Sequence, residues 1–366
     1  MPAQLALVVA NLPRRLELSA ALIPLERAIG ACSALQSRLG NVPFQDNMIR
    51  VESKLDALAM GSLDGVSGAL LRLMIVEASQ ERPAPRDLRT VTNVLNAFRH
   101  GLAVVRARGR AGLTLSLLDD MHQLLRTGST ATAESVDPAG SVASGTMQDA
   151  PSPRGLPVFD TELSGAMQDL ERFMTDPPPL PLAVRMALAM ARLELLEPFD
   201  AASAVLARLL VPLMAVADGQ APVFLAQTLA SRGSAHDAAL GSLGRDKRWE
   251  DWICFFLSCL TDAANAASAR LERADRLRLH REAEMVSLRS DSTARRLTEL
   301  AFGFPVLTVG AAQEMLDVSF QTANAAVATL VRLGILAPHS NIRRNRVFIF
   351  GETLSMLTSA EAAPAG

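Results

Sequence analysis

Two apolar segments on either side of Pro198 constrain the fold of this chain more than any other feature. Residues 181–196 are nearly all apolar, and residues 201–217 form a second apolar segment. A helix that is apolar on every side has no face for water, so each segment predicts a helix at the centre of a bundle. Because proline lacks the N–H that a continuous helix needs, Pro198 predicts a break between two central helices.

Helical periodicity extends over most of the remaining chain, which indicates a mainly α fold class. Apolar residues recur three and four positions apart in residues 16–38, 45–60, 66–80, 88–106, 116–125, 161–174, 222–231, 236–245, 249–280 and 293–300. Thr114 is a predicted N-cap. Residues 128–157 contain four prolines and many small residues, and they predict a long loop.

Composition excludes several classes of protein. With 49% apolar residues, 20% charged residues and a net charge of −2, the chain is globular and is not basic as a whole. The apolar run 209–217 is too short to span a membrane, and the apolar run 5–12 precedes Arg14 and Arg15 instead of following a basic segment. We therefore expect a cytoplasmic protein with no membrane contact. The three cysteines and five histidines lack the spacing of metal ligands, so no metal site is expected.

The C-terminal region has a different pattern. A short apolar run at 306–309 is followed by helical segments at 310–316 and 319–333, with Gly334 as the predicted helix end. Residues 335–337 and 346–350 then indicate two short strands. Two helices, a turn and a β-hairpin are typical of a small winged helix-turn-helix domain.

This module predicts a local contact with DNA. In such domains the second helix enters the major groove and the wing contacts phosphates. The candidate residues are Ser319, Gln321, Thr322 and Asn324 on the helix, and Arg343, Arg344 and Arg346 on the wing. Glutamine and asparagine amides can form two hydrogen bonds with adenine, whereas serine and threonine hydroxyls can donate to phosphate. A platform for dimerisation or for another partner is the alternative.

The region from Pro177 to Leu213 resembles the core of the Fic (Fido) family. The family motif HPFx(D/E)GNGRxxR aligns with Glu197-Pro198-Phe199 at its start and with Arg208 at its end, and apolar helices flank both. Other segments resemble further family elements, namely residues 55–65 (the inhibitory helix), 92–97, 119–125 and 157–174. The resemblance implies an N-terminal helical region (1–110), a Fic-like core (111–280) and the winged domain (285–356).

The motif positions that the resemblance assigns to chemistry carry other residues. The resemblance implies AMP transfer from ATP, in which a histidine removes the proton of the attacking hydroxyl. Glu197 stands at the position of the general base, and Ala201 stands at that of the Mg²⁺ ligand. Ser203 and its two alanine neighbours replace the phosphate-binding Gly-Asn-Gly turn, and Val205 replaces the first arginine. A carboxylate is the weaker base, alanine cannot bind Mg²⁺, and side chains crowd the turn. Only Arg208 is retained, so we expect no catalytic residues.

The resemblance also bears on regulation and partners. In the inhibitory motif, Met60 replaces the expected Ser or Thr, and Asp64 replaces the expected Glu. Asp64 either forms an ion pair with Arg208 or is unrelated to it, and the sequence leaves both interpretations open. We expect neither ATP nor Mg²⁺ unless residual activity exists. The predicted function is a DNA-associated regulator, or a regulator that holds a protein partner in the Fic cleft; a residual AMP-transferring enzyme is the alternative. A homodimer is expected from the resemblance alone.

Overall fold

The structure, a computed structural model, describes residues 18–61, 66–79, 84–127, 161–246, 248–286, 288–289, 292–339 and 346–358. Most of these residues are helical, and the predicted mainly α fold class is confirmed. The first helices are α1 (Leu22–Gly40), α2 (Gln45–Met60), α3 (Val66–Ala78), α4 (Arg89–Arg108), α5 (Leu115–Thr127), α6 (Thr161–Thr175), α7 (Leu182–Leu196) and α8 (Ala202–Ala217). They are followed by α9 (Ala226–Ser231), α10 (Gly233–Asp246), α11 (Trp249–Glu284), α12 (Thr293–Leu300), β1 (Val306–Thr308), α13 (Val309–Leu316), α14 (Phe320–Arg332), β2 (Ala337–Pro338), β3 (Val347–Ile349) and α15 (Gly351–Thr358).

The first of two compact units is built around α7. Its described residues are 18–37, 90–127, 161–246 and 248–265. Every residue from Ala183 to Leu196 is buried, and α8 packs along α7. Trp252 on α11 is fully buried, and its Nε1 donates a hydrogen bond of 2.8 Å to the carbonyl oxygen of Ala187. The predicted central position of residues 181–196 is confirmed.

The second unit combines α2 and α3 with the C-terminal elements. Its described residues are 38–61, 66–79, 84–89, 266–286, 288–289, 292–339 and 346–358. Strand β3 lies between β1 and β2 and is antiparallel to both, with Leu307 and Pro338 opposite Phe348. The apolar core of the C-terminal elements includes Leu297, Leu307, Leu316, Leu330 and Phe348.

Residues 38–89 therefore share a unit with the C-terminal elements, an association that the predicted division at 110 and 280 did not include. Phe44 stacks on Phe302 with 4.4 Å between ring centroids, and both side chains are buried. The Thr308 hydroxyl on β1 donates to the carbonyl oxygen of Ala78 at the end of α3. Composition marks where segments end, but it does not show which segments share a core. The division into 1–110, 111–280 and 285–356 remains a prediction.

Several local differences have physical causes. Helix α9 begins at Ala226 and not at 222, and the preceding segment 221–225 has no regular secondary structure and buries Val223 and Leu225. The predicted strand at 335–337 begins only at Ala337, because Ile335 and Leu336 form a bend whose side chains lie in the core. Helix α15 was not predicted. The predicted loop at 128–157 lies outside the described residues.

Candidate functional site

The first candidate site is the connection between α7 and α8, which carries the motif positions. Glu197 ends α7 in the left-handed conformation with φ 47°, and Asp200 adopts φ 48°. These angles turn the chain sharply, so that α8 can return along α7. Glu197, Asp200 and Ala201 are exposed, whereas Phe199 is buried.

Four backbone N–H groups in this connection and at the start of α8 donate hydrogen bonds within the protein. The N–H of Phe199 donates to the hydroxyl of Ser203 at 2.9 Å. The N–H groups of Asp200, Ala202 and Ser203 donate to the carbonyl oxygens of Glu197, Phe199 and Asp200, at 3.2, 3.1 and 3.0 Å. Free N–H groups at a helix start are what bind phosphate. Here the N–H groups of Ala202 and Ser203 in the first turn of α8 are occupied, and so are those of Phe199 and Asp200 just before the helix.

Phe199 anchors the connection in the core of the first unit. Its ring lies 4.9 Å from the ring of His122 on α5. Burial, followed by the charge of Arg126, lowers the pKa of His122, although Asp119 and Asp200 act in the opposite direction. A histidine with a lowered pKa is neutral at pH 7, which suits a ring packed against phenylalanine. The retained Phe199 therefore has a packing role.

The remaining motif positions lie on α8. Val205 and Arg208 are both half-buried. Arg208 forms no ion pair among the residues that the structure describes, and its Nε is buried without a hydrogen-bond partner. Asp64, which one of the two readings of the sequence pairs with Arg208, lies outside the described residues.

A buried charged pair near Arg208 was missed by the sequence reasoning. Glu194 on α7 and His236 on α10 are both buried, with Oε2 and Nε2 3.1 Å apart. Burial by itself lowers the pKa of His236, but the nearby carboxylate of Glu194 outweighs burial, so the pKa is raised. The positive charge of Arg208 opposes this rise. The available signal was Glu194 itself, since a carboxylate inside an apolar helix needs a partner.

A second missed cluster joins the ends of α7 and α8. Asp218 accepts hydrogen bonds from Arg185 and, at 3.0 Å, from Nη2 of Arg110. Arg185 and Asp218 have side chains that are each 8% exposed, whereas Arg110 is 46% exposed. Burial by itself raises the pKa of Asp218, but its two arginine partners outweigh burial and hold the pKa below its usual value. The available signal was Arg185, since a charged residue within an apolar helix needs a partner.

The second candidate site is the exposed face of α14. Ser319, Gln321, Thr322 and Asn324 all lie at its exposed start, as an interface would require. The Ser319 hydroxyl accepts from the N–H of Thr322 at 3.2 Å and lies 2.9 Å from the Thr322 hydroxyl. Both hydroxyls therefore serve the helix cap.

The arginines predicted for the wing are only partly described. Arg346 is exposed directly before β3, and Arg332 is exposed in the last turn of α14. Arg343 and Arg344 lie outside the described residues. Phe320 was not a predicted site residue, yet its side chain is 56% exposed at the start of α14.

Neither a metal cluster nor a membrane-spanning segment is found in the described parts of the chain. No three histidine, cysteine, aspartate or glutamate side chains converge there as metal ligands would. Each described helix is too short or too polar to cross a membrane.

Comparisons with known proteins identify the fold. No protein-family profile matches the sequence, and no curated protein matches it. Among solved structures, a Fic family protein from Desulfovibrio desulfuricans G20 is similar over 93% of this chain and 98% of its own, with a TM-score of 0.50 and 15% identity. At 15% identity, this similarity establishes the Fic-type fold alone. The chemistry has to be argued from the residues at the motif positions.

Proposed function

We propose that this chain is a Fic-fold protein that does not transfer AMP and that contacts duplex DNA through its C-terminal elements, which act as a winged helix-turn-helix domain. The observation that carries the first half is that the N–H groups of Phe199, Asp200, Ala202 and Ser203 all donate hydrogen bonds within the protein. A phosphate needs those groups free, and they already have partners.

The side chains of the connection support the same conclusion. Glu197 is exposed, and a carboxylate is a weaker base than the histidine that the motif carries at this position. Ala201 offers no oxygen to Mg²⁺. Val205 offers no charge to a phosphate, and Arg208 is the one motif cation that remains. A nucleotide would therefore meet one arginine in place of a full set of ligands.

Incubation with ATP labelled on the α-phosphate tests this proposal, with an intact Fic enzyme as the positive control. We expect no label on the chain or on added proteins. A matched variant restores the motif through Glu197→His, Ala201→Asp, Ala202→Gly, Ser203→Asn, Ala204→Gly and Val205→Arg, and it should bind ATP more tightly in calorimetry. Transfer by the wild type that is lost in Glu197→Ala would establish the residual enzyme instead.

The DNA-binding half is supported by the exposed face of α14 and its flanking arginines. Gln321 and Asn324 are exposed in the first turns, and Arg332 and Arg346 are exposed in the same unit. Residues 285–358 hold seven arginines against five acidic residues, a small local excess. Few phosphate contacts give modest binding that weakens as salt rises.

A gel-shift assay at physiological salt with the full chain tests this half. Charge reversal of Arg343, Arg344 and Arg346 should abolish binding, because the wing contacts phosphates. Charge reversal of three exposed arginines of the first unit, Arg126, Arg172 and Arg248, is the matched control and should leave binding intact. If both triple variants bind DNA equally, the wing assignment is wrong. A protein that co-purifies specifically, with no DNA binding, would favour the protein-interaction alternative.

A further inference from the structure

The exposed face of α14 has an unusual chemistry for a helix proposed to enter DNA. Phe320, Asn324 and Ala328 lie four residues apart on one stripe, with Gln321 and Ala325 beside it, and all five are exposed. The opposite face, which includes Ala323, Ala326, Val327 and Leu330, is buried in the core. The five exposed side chains therefore do not pack in the core, and they comprise two amides and three apolar groups.

The stripe lacks the side chains that read a G·C pair. Guanine is read mainly by arginine or lysine, and cytosine by an acidic side chain. Helix α14 contains no acidic residue, and its one basic residue, Arg332, comes in the last turn. Arg332 therefore lies two turns beyond Asn324, at the end where a helix that inserts by its first turns leaves the groove.

The same stripe suits both members of an A·T pair. An asparagine or glutamine amide can donate to N7 and accept from N6 of adenine, and apolar side chains contact the 5-methyl group of thymine. Phe320 matters most in this respect, because its side chain is large and is 56% exposed. A thymine methyl group is the apolar feature that a major groove presents to it.

We propose that α14 selects A·T pairs, with Gln321 and Asn324 reading adenine and with Phe320, Ala325 and Ala328 contacting thymine methyl groups. This inference rests on the proposed DNA-binding function. It adds the base class that the site reads and the side chains that decide it.

Selection of bound duplexes from a random-sequence library by the full-length protein, followed by affinity measurements, tests the inference. We expect a core of A·T pairs. Replacing dT by dU in that core removes only the methyl groups and should weaken binding about fourfold for each methyl that is contacted. The Phe320→Ala variant should lose most of this dT-to-dU difference, and Asn324→Ala should reduce the preference for A·T over G·C, because Gln321 remains.

A matched control is Leu333→Ala, which removes an apolar side chain that is 38% exposed just beyond α14 and should leave the dU effect unchanged. Circular dichroism of the variants should match the wild type, since Phe320 and Asn324 are exposed. A G·C core, or no dU effect in a duplex that does bind, overturns the inference and leaves DNA binding intact. Failure to bind any duplex overturns the proposed DNA-binding function, and the inference with it.

Discussion

Ion pairs between single residues connect the start of α7 to the end of α8. Asp218 is shared by Arg185, which is buried, and Arg110, which is largely exposed. Removing one partner of a buried pair costs far more than removing an exposed partner, because the remaining charge loses its compensation. The two arginines therefore make unequal contributions.

Arg185→Ala should lower the free energy of unfolding by about 3 kcal/mol, the cost of leaving a buried carboxylate with one exposed partner. Arg110→Ala should cost under about 1 kcal/mol, as an exposed pair does. Urea denaturation of both variants measures the difference. Equal losses would show that burial does not rank the two contacts.

The pair of Glu194 and His236 predicts a dependence of stability on pH. Because the pKa of His236 is raised in the folded protein, the folded state binds more protons than the unfolded state around neutral pH. The stabilisation is complete below about pH 6.5, the ordinary histidine value, and is lost as pH rises through the raised pKa.

We expect the wild type to lose stability as pH rises from about 6.5 through the raised pKa of His236. The Glu194→Gln variant should show a flatter profile, because the group that raises the pKa is gone. Urea midpoints measured across this range for both proteins check the effect. Parallel profiles would show that the pair does not titrate in this range.

At the scale of elements, the turn between α7 and α8 contains a measurable strain. Glu197 has a positive φ, a conformation that costs a non-glycine residue about 1–2 kcal/mol. Its exposed side chain offers little packing in return. Glycine adopts this conformation freely, although it loses more freedom on folding.

Glu197→Gly should therefore raise the free energy of unfolding by about 0.5 kcal/mol or more. Glu197→Ala keeps the side-chain strain and should change stability by less than about 0.5 kcal/mol. Thermal unfolding of the two variants compares them directly. A glycine variant less stable than the alanine variant would show that the glutamate side chain stabilises the turn.

Element boundaries were often predictable because they depend on neighbours in sequence. Helix α2 was predicted at 45–60 and α12 at 293–300, and both bounds match the structure. The Thr114 hydroxyl accepts from the N–H of Leu117 at 3.2 Å, which confirms the predicted cap. Gly334 ends α14 with φ 73°. Boundaries failed where burial overrode local preference, as at Val223 and Leu336.

At the scale of the whole molecule, contacts between distant segments define the second unit. Lys54, one of two lysines in the chain, is buried with its Nζ 2.7 Å from Oε2 of Glu77. The same Nζ lies 3.5 Å from the carbonyl oxygen of Gly303, which is 249 positions away in sequence. Together with the stacking of Phe44 on Phe302, these contacts predict that α2 and the residues before β1 lose their structure together.

Phe302→Ala should cost about 3–5 kcal/mol, as the loss of a buried phenylalanine ring does. It should also speed hydrogen exchange in α2 as well as around residue 302, because the two share one core. Phe320→Ala, which removes an exposed ring, should leave exchange in α2 unchanged. Faster exchange confined to the mutated segment would argue against a shared core.

The sequence by itself determined the helical fold class, the central position of α7 and the residues at the motif positions. These follow from local periodicity and from residue identity, which need no knowledge of distant contacts. Only the tertiary structure decided that Ser203 occupies the N–H of Phe199, that Glu194 meets His236 and that residues 38–89 share a core with the C-terminal elements. Such pairings depend on which faces the folded chain brings together, and sequence spacing does not specify them.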